Sequence, residues 1–190
     1  MSTQISKNFN FRGVILFENK FIINDFRLTL NMTVQSESPR EQNIAMDRIE
    51  WFLTQKVDSS LLINEDKQEN IDLFHKAGFG IVTLPKDPYD QIIGMVLICK
   101  INAFLENKLE IESLVIESLL SDGIKFTIDL ETAKSILQGN YWYNNSSTET
   151  NDLTNDNYNT KIVKLFDNQW NEIGLTWKEK REKKVTKKLD

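Results

Sequence analysis

The chain has 190 residues, 40% of them hydrophobic and 27% charged, which is the composition of a globular protein with one main domain and an appendage. A net charge of −5 argues against general affinity for nucleic acid. The single cysteine, Cys99, excludes a disulfide within the chain and favours a reducing compartment. The first residues lack the apolar core of a signal peptide.

Two antiparallel strands are predicted first. Residues 12–18 form the first strand, and Asn19 and Lys20 form a turn. Residues 26–35 alternate between apolar and polar side chains, which is typical of a strand with one wet face. The pattern leaves open to which strand residues 21–25 belong.

A helix is predicted to begin after Ser38. Ser38 can cap it, Pro39 suits its first position, and Glu41 completes a capping box. Apolar residues then recur at helical spacing to about Lys56.

A strand–helix–strand unit is predicted next. Residues 61–63 and 80–84 are short apolar runs, and between them residues 69–77 favour a helix that Gly78 ends. This order indicates a parallel crossover.

The most apolar element is a predicted helix over residues 88–106. Pro88 suits its first position, while Asp87 and Asp90 favour the positive end of its dipole. From residue 92 to 99 the apolar side chains cover nearly all sides, which predicts a buried central helix. It is too short to span a bilayer.

The remaining pattern predicts a hairpin and an appendage. Asp122-Gly123 separates apolar arms over 109–119 and 124–130, with a bulge near residues 113–115 and a short helix over 132–138. The fold class is therefore α+β: a mixed sheet with antiparallel hairpins, one crossover and a buried helix, within a domain of residues 1–143. Residues 144–160 read as a flexible polar linker. Residues 161–190 read as a last hairpin and a basic tail.

The corner before the central helix is the candidate ligand site. Asp87, Asp90 and Gln91 bring two carboxylates and an amide to a helix start after a strand end, where open α/β sheets bind ligands. The alternative is that the acids only cap the helix. No glycine-rich phosphate loop accompanies them.

Other polar residues favour structural roles. The only histidine, His75, lacks neighbouring ligands for a metal, and Cys99 lacks a polar partner on its helix. Asp58-Ser59-Ser60 reads as a turn, and the hairpin arm carries Glu110, Glu112 and Glu117 on a wet surface. The sequence predicts no metal and no cofactor.

Aromatic and basic residues near the end suggest partners. Trp and Tyr make good interface anchors, so binding of a protein partner or self-association is predicted. The candidate interaction residues are Tyr141, Trp142, Tyr143, Trp170 and Trp177. The tail, residues 178–190, begins at Lys178 and ends at Asp190. Its seven basic and three acidic side chains give +4, which leaves −9 for the rest. Nucleic-acid contact by this tail is possible, but a solvated tail is favoured.

The stretch Leu84-Pro85-Lys86-Asp87-Pro88-Tyr89-Asp90-Gln91, continued by Lys100-Ile101-Asn102-Ala103, resembles an uncharacterised group of small proteins of T4-like phages of marine cyanobacteria. The resemblance covers residues 26–130. It implies a phage protein in the cytoplasm of an infected bacterial host or in the virion. The first hypothesis is therefore a non-enzymatic assembly component or a protein-binding modulator.

The second hypothesis is a small-molecule enzyme acting on a nucleotide- or pterin-like compound. Two antiparallel strands, helices and two further antiparallel strands are similar to the tunnelling fold of pterin and purine enzymes. The inserted strand–helix–strand unit departs from that pattern, and so does the lack of the zinc-binding histidines these enzymes often use.

Overall fold

The computed structural model describes residues 3–139, 141–151 and 166–177. In this part of the chain the fold is α+β, as predicted, and is built on a six-stranded mixed sheet with strand order β4-β3-β1-β2-β5-β6. The strands are β1 (Gln4–Phe17), β2 (Lys20–Val34), β3 (Ser60–Asn64), β4 (Ile81–Leu84), β5 (Leu109–Ser118) and β6 (Phe126–Asp129). The helices are α1 (Pro39–Phe52), α2 (Gln68–Lys76), α3 (Asp90–Leu105), α4 (Leu130–Ile136) and α5 (Phe166–Glu172).

The β1–β2 hairpin is the longest feature of the sheet. The two strands pair antiparallel from Gln4 opposite Thr33 to Phe17 opposite Lys20, so residues 21–25 belong to β2. The turn consists of Glu18 and Asn19, both with positive φ, and not of Asn19 and Lys20 as predicted.

Helix α1 begins as predicted, but the capping box is only half formed. The Ser38 hydroxyl accepts a hydrogen bond from the Glu41 amide. The Glu41 carboxylate does not return the bond: it accepts from the Ser36 hydroxyl at 2.6 Å and lies 3.0 Å from the Lys108 ammonium. These two donors, Ser36 first, hold the pKa of the Glu41 carboxyl below its usual range. After Phe52 the chain continues in a π-helical turn (Leu53–Val57).

The predicted parallel crossover is confirmed. Strand β3 pairs parallel to both β1 and β4, and α2 connects β3 to β4. Helix α2 ends before Gly78, whose φ of +81° favours glycine. Ile71 of α2 joins a second, small apolar cluster with residues of β1, β3 and β4. The larger core contains residues of the sheet together with α1 and α3.

Helix α3 is the buried central helix, but it begins later than predicted. Its first residue is Asp90, and Tyr89 with extended backbone precedes it, so Pro88 lies outside the helix. The predicted cap is also wrong, because the Asp87 carboxylate accepts from the Asn64 side chain at 3.1 Å instead. The helix lies very close to the sheet at Gly94: a Cβ there would fall 2.3 Å from Cδ1 of Ile128.

The β5–β6 hairpin is confirmed, with positive φ at Asp122 and Gly123. The predicted bulge lies one residue earlier than expected: Asn31 pairs with Ser113 and Met32 with Ile111, which leaves Glu112 as the extra residue. Within the described residues, no helix has the length and apolar character needed to cross a membrane.

The appendage differs most from the sequence expectations. Where the structure describes the expected linker, it is packed: the Thr150 hydroxyl donates to the Ile81 carbonyl at 2.6 Å, and Ser147 is buried. The expected last hairpin is replaced by helix α5, as far as the described residues 166–177 show. Trp170 of α5 packs against Phe104, so tertiary burial, and not local strand pattern, sets this conformation.

Candidate functional site

A cavity of about 330 Å³ lies at the N-terminal end of α3. Three parts of the chain enclose it: the turn end of the β1–β2 hairpin, the residues around the start of α3, and the connection between β5 and β6. The apolar side chains that line it are Ile15, Phe17, Ile22, Pro88, Tyr89, Leu120 and Phe126. The polar ones are Asn24, Asp90, Gln91, Ser118 and Ser121.

Hydrogen bonds and a ring contact connect the residues that line the cavity. The buried Asn24 side chain accepts from the Leu120 amide at 3.2 Å, which ties β2 to the β5–β6 connection. The Ser121 hydroxyl donates to the Ser118 carbonyl at 2.8 Å and accepts from the Ser118 amide at 2.9 Å. The Phe17 and Tyr89 rings meet edge-on with centroids 5.3 Å apart. These backbone and side-chain contacts hold the lining residues in position.

The chemically distinctive residue of the cavity lining is Asp90. Oδ2 of Asp90 is buried and has no hydrogen-bond partner among the described residues. Among the described residues that line the cavity there is no Lys, Arg or His. A buried carboxylate oxygen without a hydrogen-bond donor is unfavourable, because burial removes hydration and nothing compensates for it. Because Asp90 lines the cavity, a bound molecule with an N–H or O–H group would have this carboxyl group as its hydrogen-bond acceptor.

The structure separates the three residues of the predicted corner. Asp90 and Gln91 line the cavity, whereas Asp87 is bonded to Asn64 and does not. Sequence reasoning missed Asn24, Phe17 and Phe126, which come from distant strands. Asn24 is a polar residue on an otherwise apolar face of β2, and this was the one sequence signal that could have indicated its place in the cavity.

The other polar residues considered in the sequence lie outside the cavity, and their surroundings favour structural roles. His75 is exposed on α2, and burial raises the pKa of the Cys99 thiol to about 11. Glu112 accepts a hydrogen bond from the Thr33 hydroxyl. Glu117 lies 3.1 Å from Arg27 and 3.4 Å from Lys125. The described part of the chain contains no group of three His, Cys, Asp or Glu side chains that could hold a metal ion.

A larger cleft of about 720 Å³ lies along β1, β2 and β5. Its charges are paired with one another: Arg12 donates twice to Asp25, at 2.7 and 3.1 Å, and Arg27 donates to Glu117. The Arg12 hydrogen bond holds the pKa of Asp25 below its usual range. The predicted turn at Asp58 lies here as well, and its carboxylate accepts from the Arg12 amide at 2.8 Å. These mutual pairs leave this cleft a weaker candidate than the Asp90 cavity.

The aromatic residues predicted as interface anchors pack mostly within the chain itself. Trp142, Tyr143 and Trp170 are each 1% exposed, and Trp142 Nε1 donates to the Thr83 carbonyl. Trp177 lies over the Arg48 guanidinium at 3.8 Å. Tyr141 remains 37% exposed. The basic tail lies outside the described residues.

The comparisons with known proteins give the fold alone. No family model matches the chain, and no curated protein matches it. An uncharacterised protein of Wolinella succinogenes, solved by crystallography, is similar with a TM-score of 0.50 and 9% identity, over 68% of this chain and 98% of that one. Plasmodium vivax 6-pyruvoyltetrahydropterin synthase gives a TM-score of 0.36 and 15% identity, over 67% and 97% respectively, which is too remote to carry an argument.

Proposed function

We propose that this protein binds a small organic molecule in the cavity lined by Asp90. The observation that carries the proposal is Asp90, which lines a mainly apolar cavity and whose Oδ2 has no hydrogen-bond donor among the described residues. Cavities with mostly apolar walls and a few convergent polar groups are the usual form of small-molecule sites. At about 330 Å³ the cavity suits a single ring system.

A flat heterocycle with N–H groups, of the nucleobase or pterin kind, is the ligand class that fits best. Its ring edge would donate to Asp90, and its faces would contact the aromatic walls. The order of elements supports this choice in part. β1–β2 and β5–β6 are antiparallel pairs with helices between them in sequence, as in tunnelling-fold enzymes, whereas the β3–α2–β4 unit between them departs from that fold. We assign no catalytic residue, since the only histidine of the chain is exposed on α2.

Thermal shift and ligand-observed NMR with nucleobases, nucleosides and pterins test this proposal, because a ligand of the native state raises the melting temperature. Asp90→Asn should abolish binding with a small change in stability. Asp87→Asn is the matched control: this carboxylate lies at the same corner but is bonded to Asn64, so ligand binding should persist. Binding that survives in Asp90→Asn would place the site elsewhere. A large loss of stability without ligand would favour a capping role for Asp90.

A second candidate function is protein binding, as an assembly component or modulator of a phage. An exposed apolar cluster around α2 favours it. Leu73, Phe79 and Phe21 are 62%, 53% and 51% exposed, and the ring of Phe74 contacts both phenylalanines, with centroids 5.0 and 5.4 Å away. Contiguous exposed apolar side chains of this kind mark interaction surfaces.

Native mass spectrometry tests self-association, which is the form of protein binding that needs no second protein. Self-association through this cluster should be lost in Leu73→Glu, while Ile136→Glu, an exposed apolar residue on α4, should leave it unchanged. A monomer at every concentration would contradict self-association. The Asp90 cavity is unaffected by either substitution, so ligand binding serves as the test that both variants are folded.

A further inference from the structure

We infer that the ligand of the Asp90 cavity is an organic cation, with a flat amidinium-like or guanidinium-like group. This inference rests on the proposed function and narrows it to one charge class. It is carried by the charge of the cavity and by the nature of its walls, which are independent observations.

The charge comes first. Asp90 is the only carboxylic acid among the described residues that line the cavity, and none of these residues is basic. A neutral donor would give the Asp90 carboxylate a hydrogen bond but would leave its negative charge without a counter-charge. A cationic N–H donor satisfies both needs, and charge-assisted hydrogen bonds are about twice as strong as neutral ones. The same argument disfavours phosphate and other anions, which would meet a carboxylate and no cation.

The aromatic residues that line the cavity also favour a cationic ligand. Phe17, Tyr89 and Phe126 line the cavity, and the first two are in edge-to-face contact. The negative face of an aromatic ring attracts cations, and desolvated pairs of this kind are stronger than exposed ones. A guanidinium or amidinium group is flat and weakly hydrated, so it can lie against a ring while its N–H groups reach a carboxylate. A compact ammonium ion would lose more hydration.

Benzamidine and benzamide provide a matched pair of probes. They have nearly the same shape, but benzamidine is a cation at neutral pH and benzamide is neutral. Isothermal titration calorimetry of each with the full-length protein measures the effect of charge alone. We expect benzamidine to bind at least about tenfold more tightly, and we expect its affinity to fall at high salt.

Substitutions at Asp90 and Tyr89, each with a control variant, locate the effect in the cavity. Asp90→Asn should remove the preference for benzamidine over benzamide, whereas Asp87→Asn should preserve it. Tyr89 is 53% exposed, so Tyr89→Leu is not expected to impair folding. Tyr89→Leu should weaken benzamidine binding several-fold, and Tyr89→Phe should retain it, because a phenyl face keeps the attraction for a cation.

Other results would overturn the inference in distinguishable ways. Equal binding of both probes, or binding of neither while a neutral or anionic heterocycle binds in an Asp90-dependent manner, would refute the cationic ligand and leave the proposed function intact. Failure of the probes and of the whole heterocycle panel would refute both.

Discussion

Arg48 holds the appendage to the core, and its replacement by Met tests how the C-terminal segment is stabilised. The side chain of Arg48 is 2% exposed. Its guanidinium donates to the carbonyls of Phe104 and Leu175, at 2.7 and 2.9 Å, and lies 3.1 Å from a carboxylate oxygen of Glu106. The Trp170 and Trp177 rings lie 4.5 and 3.8 Å from it.

The expected loss of stability follows from the groups that Met leaves without a partner. Each buried carbonyl that loses its donor costs about 1–3 kcal/mol. Loss of the contacts with the two indole rings adds about 0.5–2 kcal/mol for each ring. Release of the segment exposes these carbonyls to water and so limits the total. We therefore expect Arg48→Met to lower the free energy of unfolding by about 3–5 kcal/mol, the lower part of the range that the two carbonyls and the two rings give together.

Urea denaturation followed by tryptophan fluorescence measures this change, because two of the four tryptophans contact Arg48. Arg40→Met is the matched control. Arg40 is exposed and donates to the carbonyls of Trp177 and Thr176, so its loss should cost only about 0.5–1.5 kcal/mol. The reasoning is refuted if the two variants have the same stability, since burial of the guanidinium would then contribute nothing.

Three further predictions concern the core and the tail. Val96 is completely buried, so Val96→Asp should unfold the protein, as loss of the native circular dichroism would show; an unchanged melting temperature would contradict the central position of α3. Burial raises the pKa of the Cys99 thiol from 9.0 to about 11 in the folded protein, so in the unfolded protein the thiol ionises at lower pH. The free energy of unfolding should therefore fall as the pH rises from 9 to 11, and urea titrations of Cys99→Ala should no longer show this fall. Deleting residues 178–190 should remove any DNA or RNA binding seen at low salt in gel-shift assays, and no binding by the intact chain would exclude a nucleic-acid arm.

Local sequence signals predicted most of the elements of the main domain. Alternating side chains predicted the strand over residues 26–35, Ser38 and Pro39 predicted the start of α1, and Asp122-Gly123 predicted the β5–β6 hairpin. These signals were sufficient because a period of two, a cap and a turn each depend on residues within a few positions of one another. The buried central helix followed from apolar residues on all its sides.

The candidate site was only partly predictable. The sequence pointed to the corner of Asp90 and Gln91, because acidic residues at a helix start stand out locally. Nothing local indicated that Asp87 would bond to Asn64, 23 residues earlier, and leave the cavity. The strand residues that complete the cavity lie up to 75 positions from Asp90, so only pairing within the sheet brings them together.

The sequence by itself therefore determined the α+β class, the crossover and the buried α3, since these depend on short-range periodicity and on the drive to bury apolar surface. Tertiary structure alone decided the exact start of α3, the Asp90 cavity and the conformation of the described residues of the appendage, 144–151 and 166–177. The last case shows the reason most clearly. Residues 170–177 carry a strand-like pattern, yet Trp170 packs on Phe104 and accepts the Arg48 cation against its ring, and burial of those groups outweighs a weak local preference.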